Sequence, residues 1–240
     1  MKTQWEIASD FTLEETEVHI WRASLQVDPE VLLQHKLLLN LEEIARAERY
    51  HFEKDQRQYI VARSTLRRLL GQYLNRTPES IVLAKHSKEK PYLPHHSFEF
   101  NVSHAGDWAV FAFSHHPIGI DIEVINPTLD LETMATQFFA PAEVQAFLSI
   151  SKPDRPQAFF NAWTRKEAFI KAIGDGLATP LDQFEVSLKA GEPTKLQTMR
   201  LQGIDLRDWE LKAFDLVEGY CGAVAYNPTI NKHRFHEINP

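Results

Sequence analysis

The sequence predicts an α+β protein built from two pseudo-symmetric α+β subdomains with a ligand cleft between them. The first sign is a weak internal repeat. Val18, Ile20, Glu43, Ile44, Ile60, Ala62, Leu69 and Leu70 are matched in kind, 100 residues on, by Ile118, Ile120, Glu143, Val144, Phe160, Ala162, Phe169 and Ile170. The second is patterning: each half reads as a strand, a short helix with an acidic start, a long helix and further strands. The third is size and composition. A chain of 240 residues, 43% hydrophobic and 25% charged, suits one large soluble domain or two modest ones. Residues 1–116 are the expected N-terminal subdomain and 117–240 the C-terminal one, with a loose polar tail from about Asn227. A cleft between two such halves is the default ligand site.

The first half is basic along its helices. Arg46, Arg49, Arg57, Arg63, Arg67 and Arg68 fall within 23 residues, with Arg63 and Arg67 at i, i+4. Glu42, Glu43, Glu48, Glu53 and Asp55 can pair with some of them; the others can meet phosphates or an acidic partner protein. Next comes Lys88-Glu89-Lys90-Pro91-Tyr92-Leu93-Pro94, a turn-rich basic loop whose prolines restrict the backbone. Phe98 to Asp107 reads as a strand running into a polar turn. Ser103 and His104 near its end offer a hydroxyl and an imidazole that can bind phosphate, although on their own a simple turn explains them better.

The second half opens on Pro117 to Ile125, which alternates with period two. Ile120, Ile122 and Val124 share one strand face, so Asp121 and Glu123 share the other. Phe159, Phe160, Trp163, Phe169, Ile170 and Ile173 recur at helical spacing, and Gly174 and Gly176 follow as a stop signal. Trp163, Glu167 and Lys171 form one stripe of that helix, with Lys166 roughly 100° round from Glu167. Two carboxylates on a strand face repel, and a third on a packed helix worsens this unless a cation sits between them. Mg²⁺ fits, because it takes hard oxygen ligands and is shared with substrate phosphates; Mn²⁺ suits the same site. Either segment alone is explained by a solvated strand face and an ordinary helix pair worth ~0.3 kcal/mol. The repeat breaks here: the first half has Trp21, Ala23, Arg67 and Gly71 at the matching positions, so only the second can hold the metal.

Other classes are disfavoured. The formal net charge of −7 makes nonspecific nucleic-acid binding a poor fit. No apolar run approaches the ~18 residues of a membrane span, and the polar start is unlike a signal peptide. Cys221, the single cysteine, forms no internal disulfide, suits a reducing compartment and sits in a buried-strand pattern from Tyr220 to Tyr226 that assigns it to packing. The expectation is a cytoplasmic protein. No GxSxG elbow, P-loop, HExxH or dinucleotide GxGxxG is present. His95-His96 and His115-His116 are adjacent pairs whose side chains diverge on a strand, which argues against zinc.

Asn101-Val102-Ser103-His104, Gly119-Ile120-Asp121-Ile122-Glu123, FFAPAE at Phe138 to Glu143 and WTRKEAFIKAIGDG at Trp163 to Gly176 together resemble the 4′-phosphopantetheinyl transferases. More narrowly, they resemble the large monomeric, surfactin-synthetase-activating type, which serves polyketide, nonribosomal-peptide and fatty-acid synthases. The resemblance spans Glu43 to Tyr226. It implies a Mg²⁺-dependent transfer of phosphopantetheine from coenzyme A to a serine of an apo acyl or peptidyl carrier protein, releasing 3′,5′-ADP. Asp121, Glu123 and Glu167 would be the metal ligands. Arg46, Lys90, Ser103 and His104 would hold the phosphates or adenosine of coenzyme A, with Lys85 a further candidate, and Glu143, Lys166 and Lys171 would complete the cleft. Glu167 would accept the serine proton and Lys171 would neutralise charge on the transferred phosphate. An arginine-bearing helix including Arg63 or Arg67 would steer an acidic carrier in. The family's loop usually reads Gly-Lys-Pro, whereas this chain has Glu89-Lys90-Pro91, and glycine permits backbone angles that glutamate does not. Duplication within one chain favours a monomer. A Mg²⁺-dependent nuclease or phosphodiesterase and a noncatalytic carrier-binding module remain as alternatives.

Overall fold

The computed structural model describes residues 3–8, 10–85, 90–174 and 179–239, the side chain of Lys85 excepted. The first half runs β1 (Glu6–Ile7), β2 (Glu17–Ser24), α1 (Pro29–Leu37), α2 (Leu41–Ala47), α3 (Glu53–Leu74), β3 (Ala84–Lys85), β4 (Pro91–Tyr92), β5 (Glu99–Ala105) and β6 (Trp108–Ser114). The second runs β7 (Ile118–Val124), α4 (Leu131–Phe138), α5 (Pro141–Leu148), α6 (Arg155–Ile173), β8 (Phe184–Val186), β9 (Leu196–Met199), β10 (Glu210–Phe214) and β11 (Tyr220–Tyr226), followed by β12 (Lys232–Glu237). The repeat is real in three dimensions. β2, α1, α2 and α3 recur as β7, α4, α5 and α6 at nearly constant offset, so each half has one helix more than the sequence pattern predicts.

Local chemistry sets the helix ends. α2 starts on a capping box: the Asn40 side chain accepts from the Glu43 N–H at 2.9 Å and the Glu43 carboxylate accepts from the Asn40 N–H at 3.0 Å. α5 repeats half of this device, with Glu143 accepting from the Ala140 N–H at 2.9 Å and Pro141 in the first turn. α6 stops where Gly174 turns left-handed at φ 76°.

The two halves meet sheet to sheet. One sheet has the order β1-β12-β2-β6-β5 and the other β10-β11-β7. Alternation along each central strand separates three of the four hydrophobic clusters among the described residues. Val18, Ile20, Val110 and Ala112 of the first sheet pack on Ile118, Ile120, Ile122 and Val224 of the second. The opposite faces carry Trp21, Ala23, Phe111 and Phe113 against α3, and Cys221, Ala223 and Ala225 on the side of α6. Where β5 runs beside β7, side chains replace a backbone ladder: Asn101 Oδ1 accepts from the Ile120 N–H at 2.8 Å, and Ser103 Oγ accepts from the Ile122 N–H at 3.4 Å.

One expectation fails here. The stretch after Asn227 is not a loose tail, because β12 crosses back and pairs in parallel with both β2 and β1, adding a strand to the first half's sheet. Its cations hold Glu17, which is 1% exposed: Arg234 donates at 3.0 and 3.1 Å and Lys232 pairs with it, while the His19 ring of β2 lies 3.2 Å away. Burial alone would raise the Glu17 carboxyl, but these hydrogen bonds outweigh it and hold its pKa at about 2. A chain ending at Asn227 is therefore expected to lose about 3 kcal/mol or more of unfolding free energy, the scale of a buried charge stripped of its partners. Urea denaturation checks this, and an unchanged midpoint would show that β12 contributes nothing.

Candidate active site

The site is made where β7 crosses α6. A Cβ on Gly119 would lie 2.0 Å from the Ala168 carbonyl oxygen and 2.3 Å from the Ala172 nitrogen, so only glycine lets the strand rest on the helix backbone. Ala168 and Ala172 are small and buried, and the residue before each, Glu167 and Lys171, is carried toward Asp121 and Glu123 on the same strand face. Asp121, 3% exposed, receives the Lys171 ammonium on Oδ1 at 2.6 Å and the Ser103 hydroxyl on the same atom at 2.8 Å. Lys171 also donates to Ser103 Oγ at 3.1 Å. The serine therefore donates once and accepts from Lys171 and the Ile122 N–H, which uses its full capacity.

The remaining carboxylate oxygens are under strain of charge. Asp121 Oδ2 and Glu167 Oε1 are buried with no hydrogen-bond partner. Burial pushes the Glu123 carboxyl up to about 7, with the negative charges of Asp121 and Glu167 adding to the rise and Lys171 and the Trp163 indole opposing it. Glu167 is also raised, first by burial and then by Asp121, against the pull of Lys171. Among the described residues, no three His, Cys, Asp or Glu side chains are already drawn together as ion ligands; Lys171 supplies the compensating charge instead. The donor set nonetheless fits a hard divalent cation: three carboxylates, two of them with an orphaned buried oxygen.

On the other side of β5 lies a cleft of about 470 Å³, lined by first-half residues alone rather than set between the halves as expected, with Arg46, Arg63 and His104 facing Glu42 and Glu43. The Arg46 guanidinium lies 5.5 Å from the Tyr59 ring centroid. Successive residues of β5 point to opposite sides, so Ser103 serves the carboxylates and His104 the cleft. The Asn-Val-Ser-His run thus joins a cleft of mixed charge to an acidic site.

Several expected positions fall elsewhere. Lys166 and Glu143 do not complete the cleft. Lys166 is wholly buried in the second half, 2.7 Å from Glu143, and donates to the Leu181 and Phe184 carbonyl oxygens at 2.8 and 2.5 Å; Glu143 accepts from the Val186 N–H at 2.7 Å. The pair braces α6 against α5 and β8. Arg67 cannot steer a carrier: it is 1% exposed, bound to Glu43 at 2.7 Å and to the Pro78 and Ile81 carbonyl oxygens at 3.0 and 2.9 Å. Arg63 is held by the other oxygen of Glu43 at 2.5 Å. Lys90 donates to the backbone oxygens of Ile118 at 3.3 Å and Lys171 at 2.9 Å. The Lys85 side chain, Glu89 and Gly176 lie outside the described residues. Asn101 was missed, although its i, i+2 relation to Ser103 places both on one strand face; Tyr59 gave no sequence signal.

The site thus consists of a buried carboxylate cluster compensated by a lysine and, across one strand, a cleft carrying Arg46 and His104. Comparison with known proteins makes the class specific. The model of the 4′-phosphopantetheinyl transferase superfamily matches residues 117–225, and that of the 4′-phosphopantetheinyl transferase N-terminal region matches residues 19–116. The chain is 38% identical over 194 residues to 4′-phosphopantetheinyl transferase HetI of Nostoc sp., covering 79% of this chain and 81% of that protein. It is 33% identical over 144 residues to 4′-phosphopantetheinyl transferase Sfp of Bacillus subtilis, covering 60% and 63% respectively. A solved Chronobacterium ammoniagenes ACPS-CoA complex aligns at 21% identity and a TM-score of 0.34, over 46% of this chain and 94% of that one. The chain belongs to the 4′-phosphopantetheinyl transferase superfamily and is a transferase.

The raised carboxyls have a consequence for stability. Glu123 titrates near the usual 4.5 when unfolded and at about 7 when folded, so between those values the unfolded chain has released a proton that the folded one keeps. Stability contributed by this group therefore falls as pH rises through that window. In differential scanning fluorimetry without divalent ions, Glu123→Gln is expected to flatten part of that fall. Mg²⁺ is expected to raise the melting temperature of the parent more at pH 7.5 than at pH 5.5 and to lose this effect in the variant; equal shifts in both proteins would contradict the assignment.

Proposed function

We infer that this chain transfers the 4′-phosphopantetheine arm of coenzyme A to a serine of an apo acyl or peptidyl carrier protein, releasing 3′,5′-ADP. Family membership supports the reaction class, and the Asp121–Lys171–Ser103 constellation with Glu123 and Glu167 near the cleft of Arg46 and His104 is the observation that carries the site assignment. Asp121, Glu123 and Glu167 would hold a divalent cation, Mg²⁺ or Mn²⁺. When bound, that ion supplies positive charge to offset the three carboxylates and the pyrophosphate.

The protein's own residues do the rest. Arg46 and His104 line the cleft where the nucleotide end would lie, and Ser103 stands between that cleft and the carboxylates. Phosphoryl transfer depends mainly on placement and charge stabilisation. The carrier serine oxygen forms a bond to the phosphorus bearing pantetheine as the bond from that phosphorus to the nucleotide's phosphate oxygen breaks. The serine proton goes to Glu167, whose burial and neighbouring Asp121 make it a stronger base than an exposed glutamate. Lys171 neutralises charge on the transferred phosphate, the role for which its long, partly exposed side chain suits it.

The nuclease alternative uses the same carboxylates but does not account for the family match across both halves. A noncatalytic carrier-binding role leaves the intact charge constellation unexplained. Two similar halves in one chain support action as a monomer, and the single cysteine supports a reducing, cytoplasmic location; no helix among the described residues is long and apolar enough to cross a membrane.

Intact mass spectrometry of an apo acyl carrier protein incubated with the enzyme, coenzyme A and Mg²⁺ should show the gain of one phosphopantetheine, absent with Asp121→Ala. Glu167→Gln should lower turnover by about 100-fold or more, the span of general-base catalysis. Near-normal turnover in that variant would exclude Glu167 as the base, and coenzyme A binding without transfer to any of several carriers would favour the noncatalytic role.

A further inference from the structure

Lys90 belongs to the first half, yet its ammonium is anchored in the second. It donates to the carbonyl oxygen of Ile118, the first residue of β7, and to that of Lys171, in the last turn of α6. The Lys171 carbonyl is one of the four at a helix C-terminus that lack an intrahelical partner, and a cation there also meets the negative end of the helix dipole. The two bonds close a bracket across the strand–helix crossing at which Gly119 touches Ala168 and Ala172. Three residues along β7 from one anchor stands Asp121, and the residue of the other anchor carries the ammonium that binds Asp121. Burial depresses the Lys90 ammonium, opposed by Glu99, the one facing charge that acts on it appreciably among the described residues. The adjacent Pro91 lines the first-half cleft, but the Lys90 ammonium points away to the backbone of the second half.

We propose that Lys90 is a positioning residue: it fixes β7 against α6, and thereby Lys171 and Glu167 against Asp121, without itself contacting the phosphates of the substrate. The proposal rests on the transferase reading above for its effect on turnover, and on geometry alone for the bracket.

Two measurements test it. In the parent protein, amine acylation read by peptide mass spectrometry should leave Lys90 far slower than the exposed Lys54 and Lys232, both with and without coenzyme A. Rapid labelling that coenzyme A suppresses would overturn the proposal and make Lys90 a phosphate ligand. In kinetics, Lys90→Met is expected to lower kcat by about tenfold to 100-fold, the range of a small misplacement at a reacting centre, while KM for coenzyme A changes by less than about twofold. The preference for coenzyme A over 3′-dephospho-coenzyme A should stay at the parent's value, and Lys90→Arg, which can still donate to both carbonyls, should recover most of kcat. A raised KM with kcat kept, or a collapsed preference, would overturn the proposal, as would unchanged kinetics. Should Lys90→Met fail to fold, the labelling pattern and Lys90→Arg decide the matter. A parent enzyme that modifies no carrier would refute the transferase reading, while fast or slow labelling of Lys90 would still decide on the bracket.

Discussion

Strand β7 has to satisfy four neighbours at once, and the rest of the molecule follows from how it does so. Ile118, Ile120 and Ile122 fill the core between the sheets, and one edge pairs with β11 over seven residues. The other edge is held by Asn101 and Ser103 of β5 rather than by a ladder. The remaining face lies so close on α6 that Gly119 has no room for a side chain. A strand fixed on every side gives its two carboxylates little freedom to move apart. Their mutual repulsion is thus relieved by charge from outside the strand, which is what Lys171 supplies and what a divalent ion is suited to supply.

Buried charge is used in two ways in this fold. Glu43 with Arg63 and Arg67, and Glu143 with Lys166, are satisfied pairs: each glutamate caps its own short helix and binds a cation on the long helix that follows. Such pairs tie α2 to α3 and α5 to α6 and are complete in themselves. The carboxylates of the second half differ, because Asp121 Oδ2 and Glu167 Oε1 stay unpartnered and Glu123 is pushed toward neutrality. Unpartnered oxygens on two neighbouring carboxylates, beside a third whose pKa is raised, set this crossing apart from the satisfied pairs.

Much of this was legible in the sequence, for physical reasons. Period-two alternation placed Asp121 and Glu123 on one face because a strand admits no other arrangement, and the i, i+4 spacing of Glu167 and Lys171 held because α6 is regular. The offset-100 repeat gave the duplicated architecture. Long-range contacts were not legible. Lys166 and Arg67 are charged residues at helix positions that a local pattern reads as available, yet their partners, Glu143 and Glu43, sit on another element. The polar composition after Asn227 suggested a loose end, whereas β12 is held by a parallel pairing and a buried Glu17 more than 200 residues away in sequence. Lys90 shows the same limit: a basic loop residue beside a cleft suggests a phosphate ligand, and only the fold reveals two backbone oxygens within its reach.

The most direct test is to locate the ion. Crystals grown with Mn²⁺ and coenzyme A, measured at a wavelength where manganese scatters anomalously, should show a difference peak among the carboxylates of Asp121, Glu123 and Glu167, with Lys171 drawn from Asp121 toward the phosphates. A fully bound coenzyme A with no anomalous peak there, or a peak held by other residues, would contradict the assignment of this crossing as the metal and reaction centre.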